Sequence, residues 1–308
     1  MDLSVIIAAT DAGRSIDQCL RRLHQACAGL DAELIVVDAS SDDTAARVAA
    51  LDLPVHLLRY PPGTLTPQLW AEGYRRATGR FVAFTTGHCL VTARWATALV
   101  EAMESGASGA GGPLTLRPEA APLDRAVYYL RYSAFTPDAL GSGRTAGEIA
   151  GDNAVYSKAQ LDRHASTFER GFWEVDFHRL LRSDGGWLAA VPAAVAEFGR
   201  SFPASTILRH RFLHGTHCGA GRVSGGSRAV WQVVLASPLV PFVLMARAAS
   251  RGVRAGRDLW TFTTALPWFL ALSAAWAAGE ACGALYGAAP PVTAGPLTES
   301  AAPQRSKC

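Results

Sequence analysis

The N-terminal third of the chain alternates short apolar runs with amphipathic segments, and this alternation constrains the fold more than any other feature. The apolar runs are LSVIIAATD, AELIVVDAS, VHLLRY and RFVAF, which begin at residues 3, 32, 55 and 80. SIDQCLRRLHQAC, SDDTAARVAAL and PQLWAEGYRRAT lie between them and have apolar residues at helical spacing. Strands that alternate with helices form βαβ units, so the sequence predicts an α/β fold with a mostly parallel sheet flanked by helices.

Small polar or acidic residues follow the predicted strands. GRFVAFTTGHCLV, for example, changes from an apolar strand to two threonines, a glycine and a histidine. Open α/β sheets bind ligands at the carboxyl ends of their strands, so these positions predict a binding site. The candidates are Thr10, Asp11, Asp38, Ser40, Thr86 and His88. A helix-capping role for Asp38 and a structural role for His88 stay open as alternatives.

Two long apolar segments lie near the C-terminus. AVWQVVLASPLVPFVLMA and LWTFTTALPWFLALSAAWAAG contain no charged residue, and each is close to the ~20 residues of a membrane helix. A pair of buried core helices is the alternative. We therefore predict a globular domain over residues 1–222, membrane-associated helices over 223–287 and a disordered tail, rich in Ala, Pro and Ser, over 288–308.

The charge balance argues against a nucleic-acid partner, because the net charge is only +3. The first apolar run, Leu3 to Ala9, is too short for a signal peptide, so the N-terminal part is predicted to stay in the cytosol.

SVIIAATDAGRSIDQCLRRL followed by ELIVVDASSDDT resembles the opening of family 2 glycosyltransferases, which have the GT-A fold. The resemblance extends from about Leu3 to Gly219, and the paired apolar segments suit the membrane-attached branch. It implies a nucleotide-sugar donor and usually a divalent metal (Mn²⁺ or Mg²⁺). A lipid or lipid-linked glycan is the predicted acceptor, because the apolar segments would tether the domain at the bilayer. The enzyme would act at the cytosolic face of the cell (inner) membrane.

The same resemblance implies roles for the strand-end residues. Asp11 lies where the nucleotide base and ribose usually bind, and Asp38 matches the carboxylate that contacts the base. The family usually has an Asp-x-Asp metal motif where this chain has Thr86, Gly87 and His88. Histidine suits Mn²⁺ better than Mg²⁺, so His88 is the one candidate metal ligand here, and metal use stays open.

GFWEVDFHRLLRSDGG places Glu174 at the family's catalytic position, with Asp176 behind it. The resemblance implies that Glu174 is the general base of an inverting transfer. A first-turn acid that stabilises its helix is the alternative. AGDNAVYSKAQL likewise implies that Asp152 and Asn153 face the acceptor sugar.

RHRFLHGTHCGAGR precedes the apolar segments, and its Arg211, His214 and Arg222 are predicted to meet a diphosphate or lipid phosphate. A basic stretch attracted to anionic lipid is the alternative. The loop between the apolar segments is rich in arginine, which favours the cytosol, and Pro238 and Pro241 should break the first segment. A re-entrant first segment is therefore predicted over a two-crossing hairpin. A degenerate, non-catalytic scaffold stays the alternative function.

Overall fold

The chain forms two compact units in the computed structural model, which describes residues 1–145, 147–199, 203–254, 259–287 and 298–300. The first unit comprises Met1–Arg117, Phe135–Arg200 and Val292–Cys308. The second comprises Pro118–Ala134 and Ser201–Pro291.

The strands are short after the first four. They are β1 (Leu3–Ala9), β2 (Ala32–Asp38), β3 (Val55–Arg59), β4 (Phe81–Thr86), β5 (Cys89–Val91), β6 (Gly109–Gly111), β7 (Leu114–Leu116), β8 (Gly143–Thr145), β9 (Ala154–Ser157), β10 (Leu188–Ala190), β11 (Ala196–Phe198) and β12 (Thr298–Ser300).

The helices alternate with the strands in the N-terminal part and follow one another in the C-terminal part. They are α1 (Ile16–Ala26), α2 (Thr44–Ala50), α3 (Thr66–Arg76), α4 (Trp95–Glu104), α5 (Pro122–Tyr132), α6 (Pro137–Leu140), α7 (Lys158–Arg163), α8 (Glu174–Ser183), α9 (Ala204–Ser224), α10 (Val230–Ala236), α11 (Val240–Arg254) and α12 (Leu259–Tyr286). Helices α5 and α9 to α12 belong to the second unit.

A nine-stranded sheet in the order β12-β3-β2-β1-β4-β9-β6-β10-β8 forms the first unit, beside a small sheet of β5, β11 and β7. Strands β3, β2, β1 and β4 run parallel, which confirms the predicted α/β fold. Ala9 of β1 is level with Asp38 of β2, and Ala8 is level with Thr86 of β4. The polar residues that follow these strands therefore share one edge of the sheet.

Antiparallel β9 brings a second set of residues to the same edge. Its first residue, Ala154, pairs with Phe84 near the end of β4. The 3₁₀ turn Gly151–Asn153 comes directly before β9, so it lies at the carboxyl edge of the parallel strands.

Aromatic packing fixes α8 beneath this edge. The rings of Phe84 and Phe172 stack with centroids 4.5 Å apart, and Phe177 lies 5.3 Å from Phe172. Both Phe172 and Phe177 are almost fully buried, and burial of each contributes about 1.5–3 kcal/mol. Because these residues flank Glu174, their burial determines where α8 begins.

Close contact between α9 and α12 defines the second unit. A Cβ added to Gly279 would lie 2.0 Å from the Phe212 carbonyl oxygen, and one added to Gly283 would lie 2.0 Å from that of Thr216. A Cβ on Gly219 would lie 2.0 Å from the Glu280 carbonyl oxygen. Only glycine allows two helix backbones to approach this closely.

Two stretches of the second unit could cross a membrane by length and composition, Val230–Ser250 and Phe262–Tyr286. The first is interrupted by a 3₁₀ turn at Ser237–Leu239, which agrees with the predicted effect of its prolines. The division into units falls at residue 200 rather than 222, because α9 packs against α12. Of the predicted tail, only Thr298–Ser300 is described, and it pairs with β3; the remainder lies outside the described residues.

Candidate active site

Asp11 links the end of β1 to the loop after β2. Its carboxylate accepts hydrogen bonds from the backbone N–H and the hydroxyl of Ser41, at 2.8 and 2.9 Å. Its own backbone N–H donates to the hydroxyl of Ser40 at 2.8 Å. Asp11 has a φ of 47°, a left-handed conformation that aspartate adopts more readily than most residues. Asp11 and Ser40 thus build one loop at the sheet edge.

Asp38 ends β2 and is fully buried. Its Oδ1 accepts the Ser40 backbone N–H at 3.2 Å, and Nε of Arg59 lies 3.6 Å from its Oδ2. Burial raises the pKa of Asp38, while the hydrogen bonds from Ser40 and the charge of Arg59 oppose that rise. The Asp38 carboxylate is therefore held in place at the sheet edge, next to the loop that Asp11 and Ser40 form.

The TTGH segment is the corner where the chain leaves the main sheet for the small one. His88 is buried, and its Nε2 lies 2.9 Å from the backbone oxygen of Thr10. The carbonyl can only accept, so Nε2 carries the proton. The Thr86 hydroxyl contacts the Cys89 sulfur at 3.4 Å. Thr10 and His88 are thus brought together, as their places at the strand ends predict.

Whether the site could hold a divalent metal can be judged from the side chains that could act as its ligands. Within the ranges that the structure describes, no group of three His, Cys, Asp or Glu side chains could hold a metal ion. Thr86 supplies a neutral hydroxyl where the family usually has a carboxylate. The described side chains therefore do not by themselves fit a divalent-metal centre.

Glu174 lies at the same edge of the sheet, where Gly151 and Trp70 are its neighbours. The Trp70 indole N–H donates to the Thr85 backbone oxygen at 2.9 Å. A Cβ added to Gly151 would lie 3.0 Å from the Trp70 ring and 3.2 Å from Cδ of Glu174. The glycine thus separates the indole from the carboxyl group, which places the Glu174 carboxyl beside the 3₁₀ turn at the end of β4.

Asp152 and Asn153 occupy that turn, and both are buried. The amide oxygen of Asn153 accepts from the Trp95 indole N–H at 2.6 Å, and its NH₂ donates to the backbone oxygens of Pro113 and Ala194 at 3.1 and 2.8 Å. The Asn153 side chain therefore fastens the turn to three neighbouring segments. Its predicted contact with an acceptor sugar stays a prediction, as does that of Asp152.

Asp176, the second predicted catalytic acid, is exposed to solvent. Its side chain is 65% exposed and forms an ion pair with Arg179 at 2.8 Å, one helical turn along α8. The catalytic role of Asp176 stays a prediction.

A buried network beneath Glu174 was missed by the sequence analysis. The Tyr156 hydroxyl lies 2.7 Å from Nε2 of His178, and Nδ1 of His178 hydrogen-bonds to Glu148, which also pairs with Arg182. Burial lowers the pKa of His178, so the ring is neutral, donates to Glu148 and accepts from Tyr156. Burial, then the charges of Glu174 and Glu148, raise the pKa of Tyr156. The one local signal was the spacing of Glu174 and His178, four residues apart on one helix face.

The three predicted phosphate contacts all lie on α9, in the second unit. Arg211 and His214 lie one helical turn apart and both contact the Trp276 ring. Arg222 instead pairs with Glu280, which is almost fully buried. The structure thus brings Arg211 and His214 together and separates Arg222 from them.

A family model described as Glycosyl transferase family 2 matches residues 4–163. Among solved structures, the mannosyltransferase PcManGT from Pyrobaculum calidifontis, in complex with GDP-Man and Mn²⁺, is 17% identical with a TM-score of 0.51, over 92% of this chain and 87% of that one. S. aureus TarS 1–349 in complex with UDP-GlcNAc is 12% identical with a TM-score of 0.51, over 89% and 90%. A longer S. aureus TarS chain is 13% identical with a TM-score of 0.45, and the match covers 71% of this chain and 40% of that one. No curated protein sequence matches the chain.

Proposed function

This chain belongs to glycosyl transferase family 2, and on that premise we propose that it is an inverting hexosyltransferase with Glu174 as its general base. Family and fold together support transfer of a sugar from a nucleotide-sugar donor. The observation that carries the finer proposal is the position of the Glu174 carboxyl, held against Gly151 at the edge where the parallel strands end. A general base must lie within hydrogen-bond reach of the acceptor hydroxyl, and a ligand-binding edge is where that hydroxyl would be.

In the proposed reaction, the donor's nucleotide binds along Thr10, Asp11, Asp38 and Ser40. Glu174 takes the proton of the acceptor hydroxyl as the oxygen attacks the anomeric carbon. The bond from that carbon to the diphosphate breaks, and the nucleoside diphosphate leaves from the opposite face. Configuration at the anomeric carbon is therefore inverted.

The network of Tyr156, His178 and Glu148 would position the base. It fixes α8 from below, one turn after Glu174, and adds a neutral histidine rather than a cation under the carboxylate. A neutral support leaves Glu174 basic, whereas a cation there would stabilise its ionised form and weaken it as a base.

The acceptor is proposed to be a lipid or lipid-linked glycan. Support comes from the two apolar stretches of the second unit, which would hold the enzyme at the cell (inner) membrane. Nucleotide-sugars are cytosolic, so the first unit would face the cytosol.

The rival function, a non-catalytic scaffold that binds nucleotide or lipid, is favoured by the neutral Thr86 at a usual metal-ligand position. One experiment separates the two. Release of nucleoside diphosphate from a panel of UDP- and GDP-sugars should fall by about 10²–10⁴-fold in Glu174→Gln, while donor binding by calorimetry is unchanged. Glu169→Gln, an exposed glutamate just before the same helix, is the matched control. Donor binding without turnover in the wild-type chain, with and without Mn²⁺, would establish the scaffold.

A further inference from the structure

The loop between β1 and α1, residues 10–15, is fastened at both ends to the TTGH segment. At the start of the loop, the backbone oxygen of Thr10 accepts a hydrogen bond from Nε2 of His88 at 2.9 Å. At its end, the hydroxyl of Ser15 donates to the backbone oxygen of Gly87 at 2.8 Å. The loop is therefore held against the segment that stands where the family usually has its Asp-x-Asp metal motif.

A glycine in the TTGH segment allows this close approach. A Cβ added to Gly87 would lie 2.9 Å from the Cβ of Ala12 and 3.2 Å from Cδ1 of Ile16. Any other residue at this position would push the loop away from the segment. Side chains of the loop therefore lie beside the place where the donor diphosphate would be bound.

Arg14 is the one cationic residue of this loop, and its side chain is exposed. It forms no ion pair or side-chain hydrogen bond with the rest of the described chain. An arginine without a protein partner at a ligand-binding edge is free to meet an anionic ligand.

The carboxylates beside this loop have other partners. Asp42 accepts the backbone N–H groups of Gly13 and Thr44, each at 3.0 Å. Asp43 forms an ion pair with Arg47 at 2.8 Å. The protein therefore leaves the guanidinium of the loop without a bonded counter-charge.

The leaving diphosphate needs positive charge at this place. When the bond from the anomeric carbon to the diphosphate oxygen breaks, that oxygen keeps the electron pair, and the nucleoside diphosphate gains one negative charge. A metal held by carboxylates would offset this charge, but the described side chains do not form such a centre. An arginine fork carries a permanent charge and can donate two parallel hydrogen bonds to phosphate oxygens.

We propose that Arg14 binds the diphosphate of the donor and stabilises it as the leaving group, in place of a metal held by an Asp-x-Asp. The proposal rests on the proposed function and deepens it, since it assigns the positive charge that the neutral Thr86 cannot hold in place.

The first test compares binding of nucleoside diphosphates with binding of nucleosides by calorimetry, in the presence of EDTA. UDP and GDP are measured beside uridine and guanosine, so the difference within each pair reports on the diphosphate alone. At least one diphosphate should bind about tenfold or more tightly than its nucleoside, because charge-assisted hydrogen bonds to phosphate are added. Arg14→Gln should remove most of that difference and leave nucleoside binding within about twofold.

Two further variants separate the guanidinium from charge in general. Arg21→Gln is the matched control, because Arg21 is also exposed and lies on α1, the helix that follows the loop. It should change diphosphate binding less than about twofold. Arg14→Lys keeps the charge but loses the fork, so it should recover part of the difference between diphosphate and nucleoside.

Turnover provides the second test. At saturating donor, release of nucleoside diphosphate should fall about 10²-fold or more in Arg14→Gln, because a group that stabilises the developing charge is lost. The same measurement in Arg21→Gln should stay near the wild-type rate.

Equal losses in Arg21→Gln, or a diphosphate preference that disappears in EDTA and returns with Mn²⁺, would overturn the proposal. Loss of turnover in Glu174→Gln together with normal binding and turnover in Arg14→Gln would overturn this inference and leave the proposed function standing. A diphosphate preference that depends on Arg14, in a chain that never turns over a donor, would refute the proposed function and leave the Arg14 site standing.

Discussion

Replacing Gly151 by alanine should displace the Glu174 carboxyl without changing any charged group. The added Cβ would lie 3.0 and 3.1 Å from two Trp70 ring carbons and 3.2 Å from Cδ of Glu174. Carbon atoms in contact normally lie about 3.5–4.0 Å apart, so the contact with Trp70 is short by about 0.5 Å and the contact with Glu174 by about 0.3 Å.

The tryptophan is the less mobile neighbour. Trp70 is 2% exposed, its N–H is bonded to Thr85, and its ring packs at 5.8 Å on Phe84. Because the ring is fixed, the added Cβ and its turn shift away from it by about 0.5 Å, toward the half-buried Glu174 carboxyl, which is displaced by a similar distance. A 1 Å misplacement of a reacting group costs about 10²-fold in rate, so 0.5 Å should cost about tenfold, or about 1.4 kcal/mol of barrier.

The assay is release of nucleoside diphosphate under saturating donor, with the donor Kd measured separately. Gly151→Ala should lower kcat about tenfold and leave the donor Kd within about twofold. Gly221→Ala is the control, because a Cβ there meets no atom within 4 Å. Normal kcat in Gly151→Ala, or a loss confined to donor binding, would refute the placement of the base.

Three further predictions follow from other parts of the chain. If His88 holds a metal jointly with the donor diphosphate, EDTA and His88→Ala should each abolish donor binding measured by calorimetry; binding unchanged by both would make the site metal-independent. Because the folded pKa of His178 lies below its ordinary 6.5, the unfolded chain binds a proton that the folded chain does not. Thermal stability should therefore fall as pH drops below about 6.5, by up to about 1.4 kcal/mol per pH unit, and a slope of that size persisting in His178→Gln would contradict the assignment. In a variant without native cysteines, Ser250→Cys should resist an impermeant reagent added outside intact cells; its modification would exclude the re-entrant topology.

The strands and helices up to residue 104 could be predicted because each has a local signature. Buried parallel strands are apolar throughout, and helices such as α1 bury one face, so both patterns are visible within ten residues. The start of α8 was predictable for a similar reason, since Phe172 and Phe177 flank Glu174. The contacts around Glu174 were not, because Trp70, Gly151 and Glu174 come from three distant segments. No local pattern encodes their distances.

Helix α9 shows a different limit. Its glycines and mixed polar residues give no amphipathic pattern, so the sequence between the sheet and the apolar segments did not indicate a helix of 21 residues. Glycine disfavours an isolated helix by about 1 kcal/mol per residue. Here that loss is offset by contact with α12, which a local pattern cannot show. The contacts of Asn153 with Trp95 and two backbone oxygens were likewise not visible in the sequence, because these partners come from distant segments.

The glycine contacts also set an order of assembly during translation. Partners on α12 advance in step with those on α9, Phe212 with Gly279 and Thr216 with Gly283, so the two helices run parallel. Helix α12 can therefore pack on α9 only after α10 and α11 have been synthesised and the chain has turned back to the start of α9. At about 5–20 residues per second, the roughly 60 residues from the end of α9 to the end of α12 take about 3–12 s to synthesise. For that interval the nascent α9 has neither its glycine partner nor the carboxylate of Glu280 for Arg222, and a ribosome-bound chain is open to chaperones or lipid along this face.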